Sequence, residues 1–195
     1  MNLNDPVATA LLVAEALERE GLRYALMGGL LMAAYGEPRE TRDADIAVVD
    51  LTVERVREAL AVTGLECLVA IRDGGVRFGG LSVGRLSLVG GDEHLGLNVL
   101  DIVRTRSARY DAAAMKRSVR IPLRDRAIQA LTPEDFVIFK ALATRDRDLE
   151  DAASVLKRSG ELIDLALIDR EVELLSVEVP DFDVRSNWAS IRARG

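Results

Sequence analysis

The most informative part of this 195-residue sequence runs from a pair of glycines to a pair of aspartates and reads Gly28-Gly29-Leu-Leu-Met-Ala-Ala-Tyr-Gly-Glu-Pro-Arg-Glu-Thr-Arg-Asp43-Ala-Asp45-Ile-Ala-Val-Val. The apolar run from Tyr24 to Met27 predicts a strand before the glycines, and Leu30 to Tyr35 predicts a short helix after them. A glycine turn at a helix start exposes backbone N–H groups that can bind phosphate. The glycine pair is therefore a candidate phosphate site.

The two aspartates stand at the start of a second predicted strand, Ile46 to Val49. Residues two apart on a strand point to the same face, so both carboxylates are expected to face one point. Carboxylate oxygens are the ligands that Mg²⁺ prefers. A phosphate site beside paired carboxylates indicates metal-assisted phosphoryl chemistry.

The rest of the chain alternates between helix and strand patterns and then becomes mainly helical from Ser107 onward. Asp5-Pro6 is a helix start, and Thr52 is expected to cap a helix that reaches about Thr63. Further strands are predicted over Leu65 to Ile71, over Val76 to Val89 after a hairpin turn at Asp73-Gly74, and over Leu95 to Val103 after a turn at Gly90-Gly91-Asp92. Later helices are predicted from Thr132-Pro133, from Asp148 to Gly160, and from Glu161 to about Ser176, and Trp188 is expected to pack back onto the body. This order predicts an α/β or α+β fold, divided into a sheet domain over residues 1–106 and a helical C-terminal subdomain over residues 107–195.

Two charged residues stand in apolar surroundings. Asp101 lies within the predicted central strand, where a carboxylate is costly unless a charged group meets it. A metal ion shared with Asp43 and Asp45 would be such a group. Lys140 lies in the helical segment that follows Thr132, on the same face as Phe136, and an inward lysine needs an anion such as a nucleotide triphosphate or a carboxylate.

Composition narrows the class of protein. The formal net charge is −6, which argues against broad, non-specific binding of nucleic acids. The single cysteine, Cys67, excludes an internal disulfide and is expected to be a small core residue, and the single histidine, His94, is expected to be exposed and inert. The absence of a secretory signal pattern or a membrane-length apolar run predicts a cytoplasmic protein that does not bind membranes.

With these residues in view, the chain resembles a minimal nucleotidyltransferase of the DNA polymerase beta superfamily. The carrying motifs are the Gly28-Gly29 turn, the Asp43/Asp45 pair on the next strand and Asp101 on a later strand. The segment Leu131-Thr-Pro-Glu-Asp-Phe-Val-Ile-Phe-Lys140-Ala-Leu-Ala-Thr-Arg145-Asp-Arg-Asp148-Leu-Glu-Asp151 is similar to the abortive-infection toxin branch. The resemblance covers about Gly21 to Leu156.

The resemblance implies a nucleotidyltransferase-like mixed β-sheet flanked by helices, and an enzyme that moves a nucleoside monophosphate from a nucleoside triphosphate (NTP) such as ATP to a hydroxyl. It implies that Asp43, Asp45 and Asp101 bind Mg²⁺ or Mn²⁺ and that Asp101 helps to activate the acceptor. The nucleotide would be bound by Gly28, Gly29, Arg42 and Lys140. The acceptor would be RNA (a tRNA end, for example), a protein or a small molecule, and an antitoxin protein is the partner implied for a toxin. Where the family commonly has a serine, this chain has Gly29.

Several alternatives stay open at this stage. The chain could be a non-catalytic nucleotide-binding or scaffold protein of the same fold, or a kinase-like transferase. The basic segment Arg104 to Arg126 is either an electropositive wall for triphosphate or RNA, or a solvated connector. Thr41 and Arg42 either contact phosphate or lie in a solvated loop. Asp148 and Asp151 are interpreted as the cap and first-turn acids of a helix, with Arg145 and Arg147 as their surface partners.

Overall fold

The strands of the protein belong to one mixed sheet. The computed structural model describes residues 5–89 and 97–195. Its strands are β1 (Tyr24–Met27), β2 (Ala44–Val48), β3 (Glu66–Phe78), β4 (Leu81–Val89), β5 (Leu97–Thr105), β6 (Val119–Leu123) and β7 (Arg126–Ala130). They form a seven-stranded sheet in the order β3-β4-β5-β2-β1-β7-β6. The β2–β5 and β1–β7 pairs are parallel and the others are antiparallel.

Helices flank this sheet and make up most of the C-terminal half. They are α1 (Pro6–Arg19), α2 (Met32–Tyr35), α3 (Val53–Ala61), α4 (Ala108–Arg117), α5 (Pro133–Ala141), α6 (Asp146–Ser159), α7 (Leu165–Glu178) and α8 (Val184–Arg194). Short 3₁₀ turns cover Gly28–Leu31 and Gly160–Leu162. The predicted fold class, a nucleotidyltransferase-like mixed sheet flanked by helices with a helical C-terminal part, is confirmed.

The helix starts follow the capping residues that the sequence predicts. The Asp5 carboxylate accepts hydrogen bonds from the Val7 and Ala8 amides, and Thr52 and Thr132 each accept one from the amide three residues on. These bonds satisfy N–H groups that the helix itself leaves unpaired. In α8, Trp188 is buried and its indole N–H donates to Asp169 at 2.7 Å, so the C-terminal segment packs back as expected.

The hairpin between β3 and β4 turns later than the sequence predicts. The expected turn at Asp73-Gly74 is wrong, because β3 continues to Phe78 and the chain reverses at Gly79-Gly80. Asp73 is engaged elsewhere: its carboxylate accepts hydrogen bonds from the Val53 amide at the start of α3 and from Arg104. A register irregularity between Ile71 and Val76 absorbs the extra residues as a bulge.

The chain after Ser107 is not helical throughout. β6 and β7 form a hairpin, and β7 pairs with β1 through Leu26 and Ala130, so this segment returns to the sheet. Burial of Ile128 and Ala130 drives the pairing, although the short apolar pattern is broken by exposed residues. The division at residue 106 stays a prediction. The predictions for Gly90-Gly91-Asp92 and His94 lie outside the described residues.

Candidate active site

The sheet brings the predicted carboxylates together on neighbouring strands. Asp45 on β2 is the register partner of Asp101 on β5, and Asp43 lies in the bend just before β2. A cleft of about 250 Å³ opens here. Its lining includes the predicted site residues Gly28, Gly29, Asp43, Asp45, Asp101 and Lys140. Arg42 is exposed and is not among the residues that line it.

The glycine turn is shaped around one carboxylate. Gly28 has a φ of +70°, and a Cβ added there would lie 2.0 Å from Asp45 Oδ2. Since real Cβ atoms do not approach other atoms this closely, only glycine permits Asp45 to reach this position. A Cβ on Gly29 would lie 2.8 Å from both Cβ and Oγ1 of Thr41. The Thr41 side chain therefore occupies the space that a serine at position 29 would need.

The charge of Asp45 is held in an unfavourable environment. Burial, followed by repulsion from Asp101, raises the pKa of Asp45 from 3.8 to about 7. Asp43 adds to the repulsion, and Lys140 and the Gly29 amide oppose it. A partly buried carboxylate beside like charges is typical of a functional site, and a bound cation would offset the repulsion between them.

Asp101 has its own partner within the protein. Arg85, its register partner on β4, donates from Nε to Oδ1 at 2.6 Å and from Nη2 to Oδ2 at 2.8 Å. The charge that meets this partly buried strand carboxylate is thus an arginine. The sequence predicts a metal here instead, and Arg85 gives no signal beyond being a basic residue inside an apolar strand.

Two of the three predicted aspartates, Asp43 and Asp45, are available to bind a divalent cation. Neither Asp43 nor Asp45 forms an ion pair with the described residues, and hard oxygen ligands of this kind suit Mg²⁺ or Mn²⁺. Both oxygens of Asp101 are taken by Arg85. Within residues 5–89 and 97–195, no three His, Cys, Asp or Glu side chains are grouped closely enough to hold a metal. Two carboxylates are therefore available, and the third is engaged.

Lys140 meets carboxylates from the following helix. Its ammonium group forms ion pairs with Asp148 and with Asp151, the latter at 3.1 Å, and lies 5.6 Å from the ring centre of Phe136. Asp148 is not the N-cap of α6, which begins at Asp146. The expectation that Arg145 and Arg147 pair with these acids is wrong: in the described residues their ion-pair partners are Lys140 and, for Asp151, Arg39. Both acids lie on one helix face, and the buried lysine needs anionic partners.

Asp151 also connects the cleft to the loop before β2. It accepts two hydrogen bonds from Arg39, at 3.0 and 2.9 Å. The Arg39 guanidinium reaches over the glycine turn, with Nη1 3.4 Å from a Cβ built on Gly29. Arg39 and Thr41, rather than Arg42, are therefore the loop residues beside the candidate phosphate site.

Apolar and aromatic side chains also line the cleft. Phe78, Leu81, Val83 and Phe139 line it, and the Arg145 guanidinium lies 5.4 Å from the ring centre of Phe78. A cation over an aromatic face is a favourable contact. The cleft thus combines carboxylates, cations and apolar side chains, which are groups that suit a phosphorylated ligand with a ring.

The basic segment from Arg104 to Arg126 does not form an electropositive wall at this cleft. Every arginine in it forms an ion pair, and none lines the cleft. The pairs are Arg104–Asp73, Arg106–Asp181, Arg109–Glu178, Arg117–Asp135, Arg120–Glu18, Arg124–Asp5 and Arg126–Glu15. Their charges are used to join elements of the fold.

Comparison with known proteins supports the fold. The chain is similar to an antigenic nucleotidyltransferase-like protein from Paracoccidioides brasiliensis, with a TM-score of 0.54 and 16% identity over 96% of this chain and 92% of the other. It is also similar to the antibiotic-resistance factor ANT(2″)-Ia in solution, with a TM-score of 0.50 and 12% identity over 96% of this chain and 95% of the other. The crystal structure of ANT(2″)-Ia with adenylyl-2″-tobramycin gives a TM-score of 0.51 and 13% identity over 93% of this chain and 98% of the other.

These matches define the class of fold as nucleotidyltransferase-like. No family model matches the sequence, and no curated protein is significantly similar to it. Of the helices in the described ranges, none is both long enough and apolar enough to cross a membrane.

Proposed function

We propose that the protein is a nucleotidyltransferase that transfers a nucleoside monophosphate from an NTP to a hydroxyl group. The observation that carries the proposal is the placement of Asp43 and Asp45, without ion pairs to the described residues, beside the Gly28-Gly29 turn. The nucleotidyltransferase-like fold of the chain supports it.

Each part of the cleft has a role in this reaction. Asp43 and Asp45 would hold Mg²⁺ or Mn²⁺, which would neutralise phosphate charge and activate the attacking hydroxyl. The glycine amides would donate hydrogen bonds to the phosphates. Arg39 and Lys140, which both pair with Asp151, would add positive charge beside them. Asp101 would orient the acceptor hydroxyl or complete the cation site if its bonds to Arg85 were exchanged for these partners.

The test is incubation with each α-³²P-labelled NTP, Mg²⁺, and total cellular RNA, protein or a panel of hydroxylated small molecules. We expect label in one acceptor fraction and release of pyrophosphate. Asp43→Asn and Asp45→Asn should abolish transfer, whereas Asp50→Asn, an exposed position just after β2, should retain it. Label transfer that survives Asp45→Asn would contradict the proposal.

A second candidate is nucleotide binding without catalysis. The observation in its favour is that Arg85 occupies both oxygens of Asp101. Binding of ATP with Mg²⁺, without pyrophosphate release for any acceptor, would establish this alternative. Labelling from γ-³²P rather than α-³²P ATP would instead identify a kinase-like transferase.

The acceptor and the biological role belong to the same proposal. The resemblance to the abortive-infection branch favours a cytoplasmic toxin that is neutralised by an antitoxin protein. Because the arginines from Arg104 to Arg126 are paired, an RNA acceptor would have to be bound by the exposed Arg145 and Arg147 at the cleft rim. Arg147→Ser should then reduce RNA labelling without reducing the labelling of a small acceptor, whereas Arg145 also contacts Phe78 inside the cleft.

A further inference from the structure

The Arg85–Asp101 ion pair is bidentate, and its arginine is more exposed than its carboxylate. Its two N–H···O bonds, of 2.6 and 2.8 Å, are parallel, which is the most directional form of ion pair. Its members differ in exposure: 34% of the Arg85 side chain is accessible and only 15% of that of Asp101. The carboxylate is fixed in the strand, whereas the arginine has a long flexible stem and lines the cleft.

The position of the pair in the sheet places it in competition with a cation. Arg85, Asp101 and Asp45 are consecutive register partners on β4, β5 and β2. A cation held at Asp45 would lie next to Asp101, but each oxygen of Asp101 already accepts a hydrogen bond from Arg85. Like charges on neighbouring strands repel each other, and Arg85, paired with Asp101, offsets part of the repulsion between Asp101 and Asp45.

A polyphosphate would offer Arg85 a different partner. Phosphate oxygens accept the same bidentate hydrogen bonds from a guanidinium as a carboxylate does. The glycine turn and Arg39 lie in the same cleft, so an anion bound there is within the space that Arg85 lines. Movement of Arg85 to the anion would leave Asp101 free to bind a cation beside Asp45.

We propose that Arg85 withholds Asp101 from the cation site of the free protein and releases it when a polyphosphate enters the cleft. This inference rests on the proposed function, because it requires that the cleft bind a divalent cation and a nucleotide together. It makes Arg85 a positioning residue that couples the binding of the two ligands. The coupling prevents the formation of a complete cation site before the nucleotide is present.

The test measures Mn²⁺ binding directly, by the electron paramagnetic resonance signal of the free ion, rather than activity. Without nucleotide, Asp101→Asn should leave the affinity of the wild-type protein within about twofold, because Asp101 is not yet a ligand. Arg85→Gln should tighten Mn²⁺ binding by about tenfold through the added carboxylate, and the double variant should return to the wild-type affinity. Arg104→Gln is the matched control, since Arg104 pairs with Asp73 outside the cleft and should change nothing.

A second arm adds the non-hydrolysable analogue α,β-methylene-ATP. Asp101→Asn should now weaken Mn²⁺ binding by about tenfold, because the carboxylate has become a ligand. Equal effects of Asp101→Asn with and without the analogue would overturn the inference, and so would unchanged affinity in Arg85→Gln. If Arg85→Gln fails to fold, the Mn²⁺ affinity of Asp101→Asn with and without the analogue still tests whether Asp101 becomes a ligand only when the nucleotide is bound. Absence of Mn²⁺ binding in every variant would instead contradict the proposed function itself.

Discussion

Replacement of Asp45 by asparagine should make the free protein more stable. The carboxylate is buried against Gly28 and repelled by Asp101 and Asp43, so ionisation costs free energy that only a ligand can recover. Asparagine has the same shape, keeps an oxygen that can accept a hydrogen bond from the Gly29 amide, and carries no charge. The substitution at this candidate site carboxylate is thus expected to stabilise the fold and, under the proposed function, to abolish transfer.

The size of the gain follows from the pKa of Asp45. Its folded-state pKa, about 7, lies above the ordinary value of 3.8, so the folded protein binds this proton more tightly than the unfolded chain does. The wild type therefore loses stability as pH rises from about 4 to about 7, and the loss is complete above that range. Since one pKa unit corresponds to about 1.4 kcal/mol, the asparagine variant should gain up to about 4 kcal/mol at pH 8 and about 2 kcal/mol at pH 5.

The measurement is urea unfolding at pH 5 and pH 8 in the presence of a chelator, for the wild type, Asp45→Asn and the control Asp125→Asn. Asp125 is exposed in the turn between β6 and β7, so its substitution should change stability little at either pH. A loss of stability in Asp45→Asn, or a gain that is independent of pH, would refute the assignment of Asp45 as a strained, cation-seeking carboxylate.

Two further predictions concern the glycine turn and the helical part. Gly28→Ala should lose Mn²⁺ binding and be less stable than Gly64→Ala, because both positions have positive φ but only at Gly28 does the new Cβ meet Asp45. Gly64→Ala should lose about 1–2 kcal/mol from backbone strain alone, and equal losses in urea unfolding would contradict the steric account. Arg117→Ala should cost about 3–5 kcal/mol, because it removes the ion-pair partner of Asp135, which is 0% exposed, and leaves only the hydroxyls of Tyr110 and Thr132 to meet its charge. A cost below about 1 kcal/mol in the same assay would show that this buried pair does not hold α4 to α5.

Local patterns in the sequence were sufficient for the fold class and for most of the cleft. Each of these signals is carried by a few neighbouring residues: the strand at Tyr24, the glycine turn, the aspartate pair and the helix cap at Thr132. The structure has each of them where the sequence predicts it. Such signals depend on backbone conformation and on apolar periodicity, which neighbouring residues largely determine.

Contacts between residues that are distant in sequence required the tertiary structure. Sequence periodicity does not specify which charged residues form ion pairs. The pairing of Arg85 with Asp101, and the contacts of Asp151 with both Arg39 and Lys140, therefore could not be predicted. The same holds for the return of β7 to the sheet, which depends on the open edge of β1 rather than on its own weak pattern. The sequence thus identifies the acids that line the candidate site, but only the packing of strands and helices shows that one of them, Asp101, already has a partner.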